Sequence, residues 1–212
     1  MASTFYRATK RLVDACAAGA GLLATAPLTV PAAVAIRATM GAPVLFRQQR
    51  PGLGGKPFTI LKFRTMRHVK PGEAMLASDA DRITRLGQFL RSTSIDELPT
   101  LLNVLKGDMS LVGPRPLLMR YLERYTVEQA RRHEAKPGIT GWAQINGRNQ
   151  LSWADKFDMD VWYVDHRSLA LDLDILLKTV GKVLKRDGIS AEGAATMTEF
   201  MGSAPVTADA MA

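Results

Sequence analysis

Two adjacent carboxylates, Asp96 and Glu97, stand in the stretch Arg91-Ser92-Thr93-Ser94-Ile95-Asp96-Glu97-Leu98-Pro99, and Gly113-Pro114-Arg115-Pro116 follows. Neighbouring acids repel in water. Close to arginines held by prolines, the same pair suits a site where a metal ion and a phosphate offset the repulsion. The two prolines restrict the backbone around Arg115 and lower the entropic cost of holding it in place. Its planar guanidinium presents a fork to phosphate oxygens. Plainer readings compete. Ser94-Ile95-Asp96-Glu97 matches the capping box Ser-x-x-Glu, in which Glu97 would only satisfy backbone donors. Asp96 in a first helical turn suits the helix dipole, and Gly113-Pro116 reads equally as a rigid turn. On either reading the two acids fall at the positive end of a helix, a place that lowers carboxylate pKa and attracts phosphate.

Other candidates surround this pair. Phe58 to Met66 reads as a short strand whose alternation puts Lys62 and Arg64 on one face with Phe58 and Ile60, opposite Leu61 and Phe63. Two same-face cations would hold a diphosphate; a charged edge that resists aggregation is the equal alternative. The stretch from Gly138 to Asn149 reads as a loop rich in amide, hydroxyl and guanidinium donors around Trp142. It contributes Gln144, Asn146 and Arg148 as contacts for a nucleotide or sugar. Gly52-Leu53-Gly54-Gly55 lacks the Gly-Lys-Ser/Thr ending of a phosphate loop and is weak evidence.

The elements that must carry these residues are mostly helical. Amphipathic helices are expected over 83–91, 94–105 and 173–185, the last able to lie on a membrane, and a charged helix over 121–134. From Leu12 to Ile36 the chain is mainly Ala, Leu, Val and Gly, near the roughly 20 residues of a membrane span. Pro27 and Pro31 each remove a helical hydrogen bond, with Thr25 or Thr29 hydroxyls available to the freed groups. Lys10 and Arg11 precede the segment, and Arg37 and Arg47 follow it. Positive flanks on both sides ask for both ends on the cytoplasmic face, which a re-entrant helix satisfies and a span does not. The expected fold is therefore mainly α with a small β element (α+β). Residues 1–40 form a re-entrant membrane helix with its break at Pro27/Pro31, residues 41–190 a cytoplasmic catalytic domain with amphipathic interface helices, and residues 191–212 a flexible tail.

The chain of 212 residues carries a net charge of +8, which favours anionic partners. No acid occurs between Asp14 and Glu73, where eight Lys and Arg residues fall, a basic run that points to phospholipid headgroups. No nucleic-acid-binding module is recognisable, which leaves an anionic-lipid or nucleic-acid binder as the minor alternative. A single cysteine, Cys16, excludes an intrachain disulfide, and three scattered histidines argue against a zinc site.

At this point the motifs resemble a family. Phe63-Arg64-Thr65-Met66, Ser94-Ile95-Asp96-Glu97, the run from Leu101 to Leu118 and that from Pro137 to Asn149 are similar to the bacterial sugar transferases, small monotopic phosphoglycosyl transferases that start glycoconjugate assembly. The resemblance covers about Lys10 to Ser190. It implies transfer of a phosphosugar from a nucleotide sugar, with uridine the favoured nucleotide (a UDP-sugar), to a polyprenol (undecaprenyl) phosphate, with release of UMP. It implies Asp96 as nucleophile, Glu97 as a partner in holding Mg2+ (both acids as metal ligands), and Arg91, Arg115 and the Gly113 backbone as phosphate contacts. It also implies ping-pong kinetics, and a monotopic place on the cytoplasmic face of the bacterial inner membrane. One departure is the kink: this chain has Ala26-Pro27 where the family often has Ser-Pro, and Pro31 is expected to compensate. Asp172 matches a recurring position with no assigned role. The sugar, the glycan pathway and whether the chain forms a homo-oligomer are left open.

Overall fold

The structure is a computed structural model that describes residues 4–69, 79–147, 151–185 and 199–202. It is mainly helical with two small sheets. Helix α1 (Thr4–Met40) leads into an antiparallel hairpin, β1 (Leu45–Pro51) and β2 (Pro57–Phe63). Short helices α2 (Asp79–Arg82) and α3 (Arg85–Ser92) precede a 3-10 turn, Ile95–Thr100, that runs into α4 (Leu101–Lys106). Strand β3 (Ser110–Val112) pairs in parallel with β4 (Gly138–Thr140). Between them lie a 3-10 turn at Met119–Arg124, α5 (Val127–Ala130) and a second turn at Arg131–Glu134; α6 (Trp142–Ile145), α7 (Trp153–His166) and α8 (Leu169–Lys185) complete the body.

Helix α1 is helical through both prolines, so the expected break at Pro27/Pro31 does not end it. A proline removes one bond of the ladder, and turns on either side can continue when one face is supported. The support is a stripe of small and apolar residues. Ala18 packs with Ile60, Val104 and Met109, Gly21 faces Leu101, and Ala32 and Ile36 pack with Phe63 and Leu90. The threonines do not serve the carbonyls that the prolines free, those of Leu23 and Pro27. Thr25 donates to the Gly21 carbonyl (2.7 Å) and Thr29 to that of Ala26 (3.4 Å).

Both ends of α1 are tied to the same body. Near its start, Tyr6 and Lys10 donate to Asp172 of α8 (3.0 and 2.7 Å). Arg11 donates to the Val104 and Leu105 carbonyls, which close α4, and Asp14 accepts from the Leu111 N–H. At the other end, the carbonyls of Met40, Gly41 and Ala42 accept from the Arg64 guanidinium. The role of Asp172 is thereby given: it is the acceptor that moors the first turns of α1, and it also takes the Tyr163 hydroxyl (2.7 Å).

Among the described residues the outer edge of β2 has no neighbouring strand, and side chains replace one. Asn103 accepts from the Leu61 N–H (3.0 Å) and donates to the Thr59 carbonyl (2.7 Å), while Thr100 donates to the Leu61 carbonyl (2.9 Å). These bonds satisfy backbone groups that burial would otherwise leave unpaired. They also seat the turn that carries Asp96 and Glu97 directly against β2. One helix expected from the sequence is shifted at its start, and another is broken. The helix expected over 83–91 starts at Arg85, capped by Thr84, whose hydroxyl accepts from the Gly87 N–H (2.9 Å). The helix expected over 121–134 is broken at Tyr125–Thr126, because Thr126 and Gln129 form a reciprocal capping box that starts a new turn. Of the expected flexible tail, only Glu199 to Gly202 lie among the described residues, and there Phe200 is buried at 3% exposure.

Candidate active site

The Asp96–Glu97 turn is not the start of a capped helix. Ser94 sits in the left-handed region (φ 57°), its side chain makes no cap bond, and the turn from Ile95 is 3-10. The capping-box reading of Ser94 and Glu97 is therefore overturned. Glu97 instead turns its carboxylate to two cations: Oε1 accepts from Lys62 Nζ (2.6 Å) and from Arg115 Nη2 (3.0 Å). Burial works against an ionised Glu97, but Arg115 and Lys62 outweigh it and hold the carboxyl down at about 2.

Asp96 is treated differently by its surroundings. Among the described residues its carboxylate takes no hydrogen bond or ion pair. Burial, and next the charge of Glu97, push it up to about 6, while Lys62, Arg91 and Arg115 pull the other way. Two adjacent acids are thus driven apart by their environments, one neutralised by partners and the other left open. Separations of this kind are common where carboxylates have different chemical tasks.

The candidates from the sequence do not all meet in one place. Lys62, Asp96, Glu97 and Arg115 form one cluster, and Arg91 lies within electrostatic reach of Asp96 while its Nε donates to the Thr65 hydroxyl (3.0 Å). Arg64 is not in it. Strand β2 ends at Phe63, so the expected alternation stops one residue short, and Arg64 turns to the carbonyls at the end of α1. Gly113 offers no free donor, since its N–H is given to the Thr140 carbonyl (2.9 Å). Its place is steric: a Cβ there would come 2.2 Å from the Lys136 carbonyl oxygen. The donor-rich segment is not a loop alone, as it holds β4 and α6. Asn146 donates to the Trp142 carbonyl (2.9 Å) and is exposed. Gln144 has both amide atoms buried with no hydrogen-bond partner among the described residues. Arg148 lies outside the described residues.

Sequence reasoning missed two things. Arg50 lies close enough to Arg115 that burial, and next that positive charge, lower it to about 10, and its Nε is buried without a partner among the described residues. Arg132 and Asp160 form a buried ion pair (2.6 Å), 2% and 5% exposed, with Arg132 Nη2 also donating to the Arg115 carbonyl (2.8 Å). The partners are separated by 28 positions, and no local pattern announces them.

No group of three or more His, Cys, Asp or Glu residues that could hold a metal ion occurs among the described residues. The donor set on hand is two carboxylates, one of them unengaged. That suits Mg2+, which is commonly bound through one or two carboxylates plus substrate phosphates and water rather than by a full protein cage.

A helical body moored on a long apolar helix, with an acid pair set among cations, is one of a recognised class. The chain belongs to the bacterial sugar transferase family, whose pattern it matches over residues 5–186. It is 56% identical to the uncharacterized sugar transferase EpsL of Bacillus subtilis over 198 residues, covering 93% of this chain and 98% of that one. It is 46% identical over 188 residues to a UDP-glucose:undecaprenyl-phosphate glucose-1-phosphate transferase of Caulobacter vibrioides, covering 84% and 70%. The Escherichia coli protein of the same description is 40% identical over 186 residues, which cover 83% of this chain and 40% of that longer protein.

Proposed function

We propose that this chain transfers a phosphosugar from a UDP-sugar to undecaprenyl phosphate and releases UMP, through a covalent intermediate on Asp96. The observation that carries this reading is the unengaged Asp96 carboxylate beside a Glu97 whose charge is already balanced. With its pKa at about 6, Asp96 is mostly ionised at neutral pH yet more basic than an ordinary aspartate, as a nucleophile should be. A carboxylate oxygen of Asp96 attacks the β-phosphorus; the bond from that phosphorus to the bridging oxygen breaks, and UMP leaves with the electron pair. An oxygen of the lipid phosphate then attacks the same phosphorus and frees the carboxylate, giving the polyprenyl diphosphosugar. Lys62, Arg91 and Arg115 offset the phosphate charge and align the reacting groups, which is most of what phosphoryl transfer requires. Mg2+ held by Asp96 and Glu97 would supply further charge neutralisation at the diphosphate.

The test uses UDP-glucose and UDP-galactose. With Mg2+ and undecaprenyl phosphate, steady release of UMP is expected, and a chelator should stop it. Without the lipid, release should halt near one equivalent per chain, which should gain the mass of a phosphosugar. Release that strictly needs the lipid, with no mass gained, would reject the covalent intermediate.

We infer a monotopic place in the membrane on the same grounds. At 37 residues α1 would be about 56 Å long if straight, well beyond a hydrocarbon core of about 30 Å, and it is apolar enough to cross one. Yet both of its ends are bonded to one body, which cannot sit on both sides of a bilayer. Its outward residues Leu12, Leu23, Leu28, Val30 and Val34 are exposed, as are Leu173, Leu177 and Val180 of α8, and these apolar faces suit lipid. Single cysteines placed at Arg7 and at Thr39, in a chain lacking Cys16, should both react with an impermeant thiol reagent from the cytoplasmic side only. Labelling from opposite sides would mean a span.

A further inference from the structure

The end of the described chain returns to the body with more contacts than a tail of its composition requires. Glu199 accepts from Arg120 (2.7 Å) and Arg124 (2.8 Å). The Phe200 N–H donates to the Tyr121 hydroxyl (3.2 Å), and its carbonyl accepts from Arg124. The Phe200 ring enters a socket of four aromatic side chains. It stacks on Tyr125 (5.8 Å between centroids) and meets Phe157 edge-on (4.9 Å) and Tyr121 edge-on (5.6 Å), with Trp153 at 5.6 Å. Main-chain bonds, ion pairs and ring contacts all converge on two consecutive residues.

Two rings of this socket also touch Arg132. Its guanidinium lies 5.7 Å from the Tyr125 ring centre and 5.6 Å from that of Phe157, and it donates to the Tyr125 hydroxyl (3.2 Å). Tyr125 and Phe157 therefore each contact both Phe200 and Arg132. Asp160 accepts from Nε and Nη2 of Arg132, and Nη2 is shared with the Arg115 carbonyl. That carbonyl belongs to the residue whose side chain reaches Glu97. A continuous path of contacts thus runs from the C-terminal segment to the acid pair, and every member of it between Phe200 and Arg115 is a ring or a buried ion.

We propose that Glu199–Phe200 is a latch: seated in the Tyr121–Tyr125–Trp153–Phe157 socket, it holds Arg132, and through Arg132 it positions Arg115 for the diphosphate of the nucleotide sugar. This rests on the reading of Arg115 as a phosphate contact. Phe200 and Arg132 are positioning residues, since neither touches the acid pair. An emptied socket lets Tyr125 and Phe157 move, and Arg132 then has lost the rings that pack it against the Arg115 backbone. Because Arg115 would meet the diphosphate in the bound state as well as during transfer, the loss should appear mainly in affinity and KM, with kcat less affected.

The experiment is a double-mutant cycle on the full chain, with UDP as the calorimetric probe and steady-state kinetics alongside. Arg115→Ala, Phe200→Ala and the double variant are compared with the wild type. Phe200→Ala should weaken UDP binding about five- to tenfold and raise KM by a similar factor, and Arg115→Ala should weaken it at least as much. The double variant should bind no worse than Arg115→Ala alone, because coupled sites do not add. Should Phe200→Ala not fold, Phe200→Leu keeps apolar bulk without the planar ring, and a smaller loss in the same direction is expected, again absent on an Arg115→Ala background. Unchanged UDP affinity in either Phe200 variant, or losses that simply add, would overturn the latch while leaving Arg115 in place. An Arg115→Ala chain that binds UDP as the wild type does would instead remove the phosphate role of Arg115, and the latch with it.

Discussion

Asp96→Asn is expected to abolish transfer, by about a thousandfold or more as is usual for loss of a covalent nucleophile, and at the same time to make the folded chain more stable at neutral pH. The second half follows from the direction in which the fold moves this carboxyl. An ordinary aspartate titrates near 3.8, and Asp96 is raised to about 6 in the folded chain. The folded state therefore binds this proton more tightly than the unfolded state does. Its stabilising effect is complete well below pH 4 and is lost as pH rises through 6. At pH 7.5 the ionised carboxylate costs the fold up to about 2–3 kcal/mol, since a tenfold change in an ionisation equilibrium corresponds to about 1.4 kcal/mol. Asparagine has the same shape and no charge to keep buried beside Glu97. For a chain of this size, in which 1 kcal/mol moves the melting temperature by about 2–4 °C, it should rise by roughly 4–12 °C at pH 7.5, and the gap should close as the wild type is brought to pH 4. Thermal unfolding in detergent at both pH values, beside UMP release, checks it. A variant that is inactive and less stable would mark Asp96 as structural. One that is stable and active would remove it as nucleophile.

Much of this site is readable from local sequence because the chemistry is local. Asp96 and Glu97 are adjacent, Arg115 is held between prolines, and Lys62 is one alternation from the apolar face of its strand. The failures share a cause: a backbone group or a charge elsewhere needed a partner that the local pattern does not reveal. Arg64 fits the strand alternation, yet three carbonyls at the end of α1 take its guanidinium. Gly113 fits a phosphate-binding turn, yet the parallel pairing of β3 with β4 takes its N–H. Ser94 fits a capping box, yet the Lys62 and Arg115 charges claim Glu97 and the backbone at Ser94 turns left-handed. The opposite error falls at Thr126-Val127-Glu128-Gln129, where a true capping signal interrupts what periodicity alone presents as continuous helix. Arg132, Asp160 and Phe200 carry no readable signal, because what defines them is tertiary: a buried charge far in sequence from its partner, and a lone aromatic in a tail rich in Ala, Thr and Gly.

Glu97→Gln should have the second-largest effect, and it separates the electrostatic argument from the geometric one. Glutamine keeps the shape and one acceptor oxygen, but Lys62 and Arg115 lose the charge that they share. Both would remain as partly buried cations facing a neutral amide, and Arg115 would lose the fixed point of its side chain. Through the misplaced Lys62 and Arg115, transfer should fall by about a hundred- to a thousandfold, the range found when one preorganised donor to a transition state is lost. The substitution should also reach Asp96. The charge of Glu97 is, after burial, the largest reason that Asp96 sits at about 6. Without it, burial alone opposes Lys62, Arg91 and Arg115 at Asp96, so its midpoint should move down. Carbon-13 titration of labelled aspartate carboxyls in the metal-free chain would read this directly, with Asp96→Asn to assign the signal. Magnesium affinity in the presence of UDP should fall in the same variant. If the Asp96 midpoint stays near 6, burial alone sets it, the two acids do not repel appreciably, and the case for a divalent cation between them loses its physical basis. If it falls while activity is also lost, repulsion within the pair is real, and the surrounding cations are what make it tolerable.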